Sequence, residues 1–542
     1  MRARVAPALG LLALFLADCS PPSAPEPARP DAGAAHSGGR FVYPLPVEPT
    51  TLNFVTGGDL ATSLITRLIG DSLVDHDPSM GIVPRLASSW DWSAGGRVLT
   101  FHLRPGVRFH DGVTLTSSDV VYTYERVIDP RSRALSFLDA MLPVERVEAT
   151  DPLTVRVTYR RPFAPALAGW EVPILPRHLY EREDFLRSRW NRAPIGSGPF
   201  RFASWEAGQR IVLSANLDYW GGRPCLDTLD FEVIPSQETA LRALLAGEVD
   251  YARLTPVQWS AQADNVAFAR RFRTIRFVPL FVFYIVWRGD GSNPFFADPV
   301  VRRALSLALD REGYVRTILR GLGEVADSPF RRGTPQADPA LPPIAHDPEQ
   351  AAALLDGAGW RLEAASGVRR RAGVPLRFTL LIFGGNEDQV QFSQVAQENL
   401  RRLGVEMSIA RLDWPAVWAR LQKGDFQAAL TGMTLTPDPD GVYGLLHSSQ
   451  IGGGQNYAAF RDRRIDAWLE EGRTILDPRG RLAAYHEIDR RLREQQPYTF
   501  LFFPEVRAAL SRRFENAEAS PLGLLDPYPG ASRLCSAEGP PR

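Results

Sequence analysis

The stretch NEDQVQFSQVAQENLRRLGVEMSIARLDWPAVWARLQKGDFQAALTG, Asn386 to Gly432, reads as helix, strand, helix, strand, and that order decides the fold class. Phe392, Ala396, Asn399 and Leu403 recur at helical spacing and trace one face of a helix. Gly404 stands at its C-cap, and Arg401 and Arg402 complement the helix dipole in the last turn. Val405, Met407 and Ile409 then alternate as a strand. Asp413 to Lys423 forms the next helix, Gly424 stops it, and Phe426 to Thr431 is a second strand expected to break at Gly432. In parallel α/β sheets ligands sit beyond the carboxyl ends of the strands, so the loop from Gly432 to Asp440 is the first place to look for a site.

The same punctuation recurs along the chain. Asp298-Pro299 opens a helix as N-cap and first-turn proline, and Asp347-Pro348-Glu349-Gln350 opens another. Ser236 starts a third that runs to Gly247, and Asp477-Pro478 starts a fourth that must end before Pro497. Strands alternating with capped helices give an α/β protein. A chain of 542 residues with 44% apolar content is too long for one core and folds as two or three domains. Basic and acidic residues balance at 62 each, which leaves no global field for nucleic acid or an anionic membrane surface. No period of repeat length recurs.

The first nineteen residues follow the export pattern: Arg2 and Arg4, an apolar run through Leu9 to Leu16, then Ala17-Asp18-Cys19. That run is too short to span a bilayer permanently. Leu16-Ala17-Asp18-Cys19 resembles a bacterial lipobox, which implies lipidation of Cys19, although Asp18 stands where a small residue is usual. Residues 20–39, rich in Pro, Ala, Ser and Gly, read as a flexible tether. Cys225 and Cys535 remain in the mature chain, and they are either a disulfide formed in an oxidising compartment or two unpaired thiols.

Several segments, in this order, resemble the family 5 extracellular solute-binding proteins. They are Glu48-Pro49-Thr50-Thr51-Leu52-Asn53, Leu103 to Gly112 (LRPGVRFHDG), Ser118-Asp119-Val120-Val121-Tyr122, Gly196-Ser197-Gly198-Pro199-Phe200 with Asp218-Tyr219-Trp220-Gly221-Gly222, Val301 to Arg311, and Asn399 to Val405. The resemblance implies the type II periplasmic-binding-protein fold, two lobes with an extra domain inserted in the N-terminal one. Lobe I would comprise residues 40–58, 180–282 and 503–542, the inserted domain 59–179, and lobe II 283–502. The two crossings fall at Arg276 to Trp287 and Tyr498 to Glu505, both β-prone, and hinge closure around a solute is the motion such crossings allow. The function implied is the substrate-binding subunit of an ABC importer: a lipid-anchored, periplasm-facing monomer that hands a peptide or similar small solute to permease subunits, with no cofactor. An envelope sensor or scaffold of the same fold, a binder of a non-peptide solute, and an enzyme are the alternatives.

Candidate chemistry is sparse. His110-Asp111-Gly112 follows a strand and a Pro-Gly turn and reads as a tight turn. No histidine pair with a third ligand and no Cys-x-x-Cys supports a metal site. His447-Ser448-Ser449 has hydrolase residue types but no nucleophile elbow, so it is taken as a loop bordering the cleft, or as plain surface. In peptide-binding members of the family the site loop resembles Gly432-Met433-Thr434-Leu435-Thr436, with Met433 in place of a tryptophan and Thr436 in place of the acid that holds the ligand's α-ammonium. Asp438 or Asp440 could supply that acid instead, on a loop stiffened by Pro437 and Pro439. Tyr284 and Trp287, in the first crossing, are either cleft aromatics or core residues.

Overall fold

The computed structural model describes residues 38–132, 134–262, 264–525 and 530–536. Cys19, the export segment and the tether up to residue 37 lie outside them.

Two lobes follow from how the sheets divide the chain. In the first, strand Arg40–Leu45 pairs in parallel with Thr228–Val233, and Arg210–Ala215 and Phe200–Glu206 complete an antiparallel flank. Beside it, Val506–Ser511 is the centre of a three-stranded sheet between Tyr251–Arg253 and Phe272–Phe277. An inserted antiparallel sheet takes the order Ala87–Ser93, Val98–Leu103, Thr154–Tyr159, Val144–Asp151. Its core also gathers Phe54, Val55, Tyr180 and Phe185, so residues on both sides of the expected 59–179 boundaries pack into the insertion.

The second lobe is built on a six-stranded mixed sheet in the order Gly323–Val325, Tyr498–Pro504, Phe281–Trp287, Ala428–Thr434, Arg377–Phe383, Glu406–Leu412. Helices Glu387–Arg402 and Trp414–Lys423 are the crossovers that let its last three strands run parallel. Their caps lie where the residue types demand: Asn386 and Asp413 accept first-turn amides, and Gly424 closes its helix at φ 68°. Phe281–Trp287 is apolar without alternation because both faces are covered. Phe283, Ile285 and Trp287 enter one core and Val282, Tyr284 and Val286 the other.

Both crossings are shorter than expected. Phe272–Phe277 belongs to the first lobe and Phe281–Trp287 to the second, leaving Val278-Pro279-Leu280 as the joint. On the return, Tyr498–Pro504 and Val506–Ser511 meet at Glu505 alone. Val282 and Phe503 therefore sit in the second lobe's sheet, because ladder pairing runs two residues beyond the expected boundary at each end, to Phe281 and Pro504.

Candidate functional site

The three parallel strands end at one edge, at Phe383, Leu412 and Thr434, beside the first joint, where Leu435 donates its amide to Leu280 O at 2.8 Å. Gly432 does not break its strand. It pairs with Phe283, and the Phe281 ring lies 2.2 Å from where a Cβ would stand, so glycine is required by packing rather than by a turn. Gly432, Met433 and Thr434 are thus strand residues, and Met433 is buried in the core with only Thr434 exposed.

The loop that follows is tightly tied. Exposed Thr436 donates its hydroxyl to Asp438 O at 2.7 Å, and Asp438 caps the short turn Pro439–Val442. Neither following carboxylate is free. Asp438 takes a two-pronged bond from Arg481 at 2.8 and 2.9 Å, and Asp440 one from Arg473 at 2.8 and 2.9 Å. Arg473 and Arg481 are buried. Burial opposes the charge on each, but the carboxylate forks outweigh it and hold both guanidinium protons more firmly than usual.

His447 stacks on Tyr443 with ring centroids 4.4 Å apart. Its Nδ1 accepts the Ser449 amide at 3.1 Å, capping a turn, while Nε2 lies 3.6 Å from Glu470. The Ser449 hydroxyl also lies 2.7 Å from Nδ1 and shares that lone pair with the amide, and the Ser448 hydroxyl donates to Asp466 at 2.6 Å. Tyr284 and Trp287 do not face a cleft. They are 2% and 0% exposed, Tyr284 against Tyr498 and Trp287 donating its indole N–H to Thr499 at 2.8 Å, because a central strand covered on both faces has no open side.

Residues not singled out from sequence complete the edge. Trp414 and Trp418, one helical turn apart, are 43% and 37% exposed and continue an aromatic row from Phe383 to Tyr457 with centroids about 6 Å apart. Two tryptophans four apart just after an N-cap were the available signal. Asp388, in the first turn of Glu387–Arg402, sits in the field of Arg253 and Arg507 from the other lobe. Burial raises its carboxyl and the two guanidiniums pull it back, leaving it above its usual value. Among the described residues no group of acids, histidines and cysteines is arranged to hold a metal ion.

The family model "Bacterial extracellular solute-binding proteins, family 5 Middle" matches residues 81–454. The oligopeptide-binding protein AppA of Bacillus subtilis is 32% identical over 528 residues, covering 95% of this chain and 95% of that one. The nickel-binding periplasmic protein of Escherichia coli is 26% identical, covering 90% and 93%. The solved structure of B. subtilis AppA in complex with a nonapeptide superposes with a TM-score of 0.83 at 29% identity, over 93% of this chain and 100% of that one.

Proposed function

This chain belongs to the bacterial extracellular solute-binding proteins of family 5, and from that premise we propose that it is the substrate-binding subunit of an ABC importer for peptides or peptide-like solutes. The observation that carries the reading is the position of the carboxyl edge. Three parallel strands end beside the first of two chain passages between the lobes, where bending changes access to whatever lies on that edge. Thr434, Thr436, Trp414 and Trp418 border the solute, with His447 at the rim. Gly432 contributes its place in the sheet, Met433 and Tyr284 support the wall from behind, Asp438 and Asp440 stiffen it, and Trp287, paired with Ala428 at the far end of the strand, takes no part.

Cys19 carries the lipid, the stalk is the expected tether without Gly38 and Gly39, which bond to Cys225 and Asp227 in the first lobe, and the folded body faces the periplasm as a monomer that meets permease subunits. No helix among the described residues is long and apolar enough to cross a membrane. Mass spectrometry of solute released from natively purified protein tests the reading: recovered peptides support it, and recovery of a single non-peptide species replaces the solute class.

A second reading, a non-peptide solute, is favoured by the same loop. With a threonine at 436 and both neighbouring acids committed to arginines, the loop from 434 to 440 offers no free carboxylate for an α-ammonium, which leaves Asp388 as the acid of this edge outside those forks.

A further inference from the structure

The inserted sheet and the second lobe have separate cores, yet they touch along one seam. Arg161, just past strand Thr154–Tyr159, forms an ion pair with Glu470 on helix Arg463–Thr474. The opposite oxygen of Glu470 accepts the Tyr443 hydroxyl at 2.9 Å, which fixes the carboxylate toward the insertion. One turn along the same helix, the Arg473 guanidinium lies 5.6 Å from the ring centroid of Phe163, which belongs to the insertion's core. Arg473 cannot swing away, because Asp440 grips it from one side and the Tyr443 ring lies 3.1 Å from it on another. At the far end Leu476 rests against Gly96 in the turn between Ala87–Ser93 and Val98–Leu103, with a methyl where a Cβ at position 96 would be.

Two of these contacts share one property: Glu470 and Arg473 are each held in place on their own side before they meet the insertion. A contact built from fixed groups loses little entropy on forming, so it favours the state in which the two sides meet. We propose that Arg161 and Glu470, backed by Arg473 against Phe163, form a clasp between the inserted domain and the second lobe that holds the closed molecule. The insertion then takes part in closure instead of only enlarging the first lobe. The ion pair is half exposed, with side chains 47% and 32% accessible, so its contribution is modest and screened by salt. It borders the proposed solute edge, since Glu470 lies 3.6 Å from His447 at the rim and Arg473 holds Asp440 of the wall loop, but none of its own groups is assigned to the solute.

The proposal rests on the closing two-lobe reading, but its test needs no solute, so its failure leaves solute binding untouched. Spin labels on cysteines introduced at the exposed positions Val113 and Leu362 report the distance between the insertion and the second lobe by pulsed electron resonance. The unliganded parent should show a short-distance population that falls about two- to fivefold in Arg161→Ala and is largely kept in Arg161→Lys. About 0.5 M salt should lower it in the parent and leave Arg161→Ala unchanged. A parent without that population, an Arg161→Ala protein indistinguishable from it, or an Arg161→Lys protein as open as Arg161→Ala would each overturn the clasp.

Discussion

Arg276 grips Glu505 through two hydrogen bonds, 2.6 and 2.9 Å, and so ties together the two chain passages between the lobes. Arg276 is the next to last residue of the outgoing first-lobe strand, and Glu505 is the one residue between the two returning strands. Exposure of 55% at Arg276 limits what the pair adds to stability, so Arg276→Ala should cost about 0.5–1 kcal/mol in urea unfolding. The geometric effect should be larger than the energetic one. Small-angle scattering of the unliganded variant should give a greater radius of gyration than the parent, and an unchanged value would reduce the pair to surface packing.

His110 gives a pH dependence with a definite sign. Its Nδ1 accepts the Gly196 amide at 3.2 Å and its Nε2–H donates to Gly198 O at 3.0 Å, which fits the neutral ring. Burial, helped by Arg201 and opposed first by the Gly198 carbonyl bond and then by Asp71 and Asp111, pushes its pKa from 6.5 down to about 4. The unfolded chain therefore binds this proton more readily than the folded one. The stabilisation is fully present above about pH 6.5 and is lost as pH falls toward about 4, by about 3 kcal/mol in all. His110→Gln should flatten that part of the stability profile, measured by urea titration at several pH values, and an unaltered slope would assign it to other groups.

How much of this was legible in the sequence depends on how local each requirement is. Asn386, Gly404, Asp413 and Gly424 act within one helical turn, and their roles could be read directly. Gly432 looked like a strand end because glycine usually marks one, whereas its requirement comes from Phe281 on the neighbouring strand. Arg473 and Arg481 look like ordinary surface charges on their helices. Their carboxylates lie 33 and 43 residues earlier, on a loop whose acids seemed free for the same reason. For Tyr284 and Trp287 an apolar run gives no sign of which face is open, and here neither is.

Cys225 and Cys535 have Cα atoms 4.9 Å apart, within the range a disulfide spans, and are separated by 310 residues. A bond there would fasten the C-terminal strand pair to the first lobe. Mass spectrometry after alkylation without reductant should find neither thiol modified. Cys225→Ser should lower stability by about 2–4 kcal/mol, and equal stability of parent and variant would mean the bond does not form.

Cys19 lies outside the described residues, and its lipid is tested in cells. Cys19→Ser should move the protein from the membrane fraction to the soluble one and abolish acyl labelling. Membrane fractionation and labelling that persist in the variant would exclude lipidation at this cysteine.

The strongest prediction concerns how the solute is held. An ammonium buried in a closing cleft needs a carboxylate, because a neutral hydroxyl such as that of Thr436 makes a bond about half as strong and leaves the charge uncompensated. Asp438 and Asp440 could replace the missing acid only by leaving Arg481 and Arg473, and each departure would strand a buried guanidinium at a cost of about 3–5 kcal/mol. That exceeds what one ammonium contact returns, so neither fork should open for a ligand. A peptide that binds and its N-acetylated form should therefore show affinities within about threefold by calorimetry, since 1.4 kcal/mol would already separate them tenfold. Asp440→Asn and Asp438→Asn should lower the melting temperature by several degrees, because the damage falls on the fold and not on an ammonium contact. Binding that is abolished by acetylation and by either Asn substitution, with melting unchanged, would show that the forks do open and that the acid has only moved along the loop.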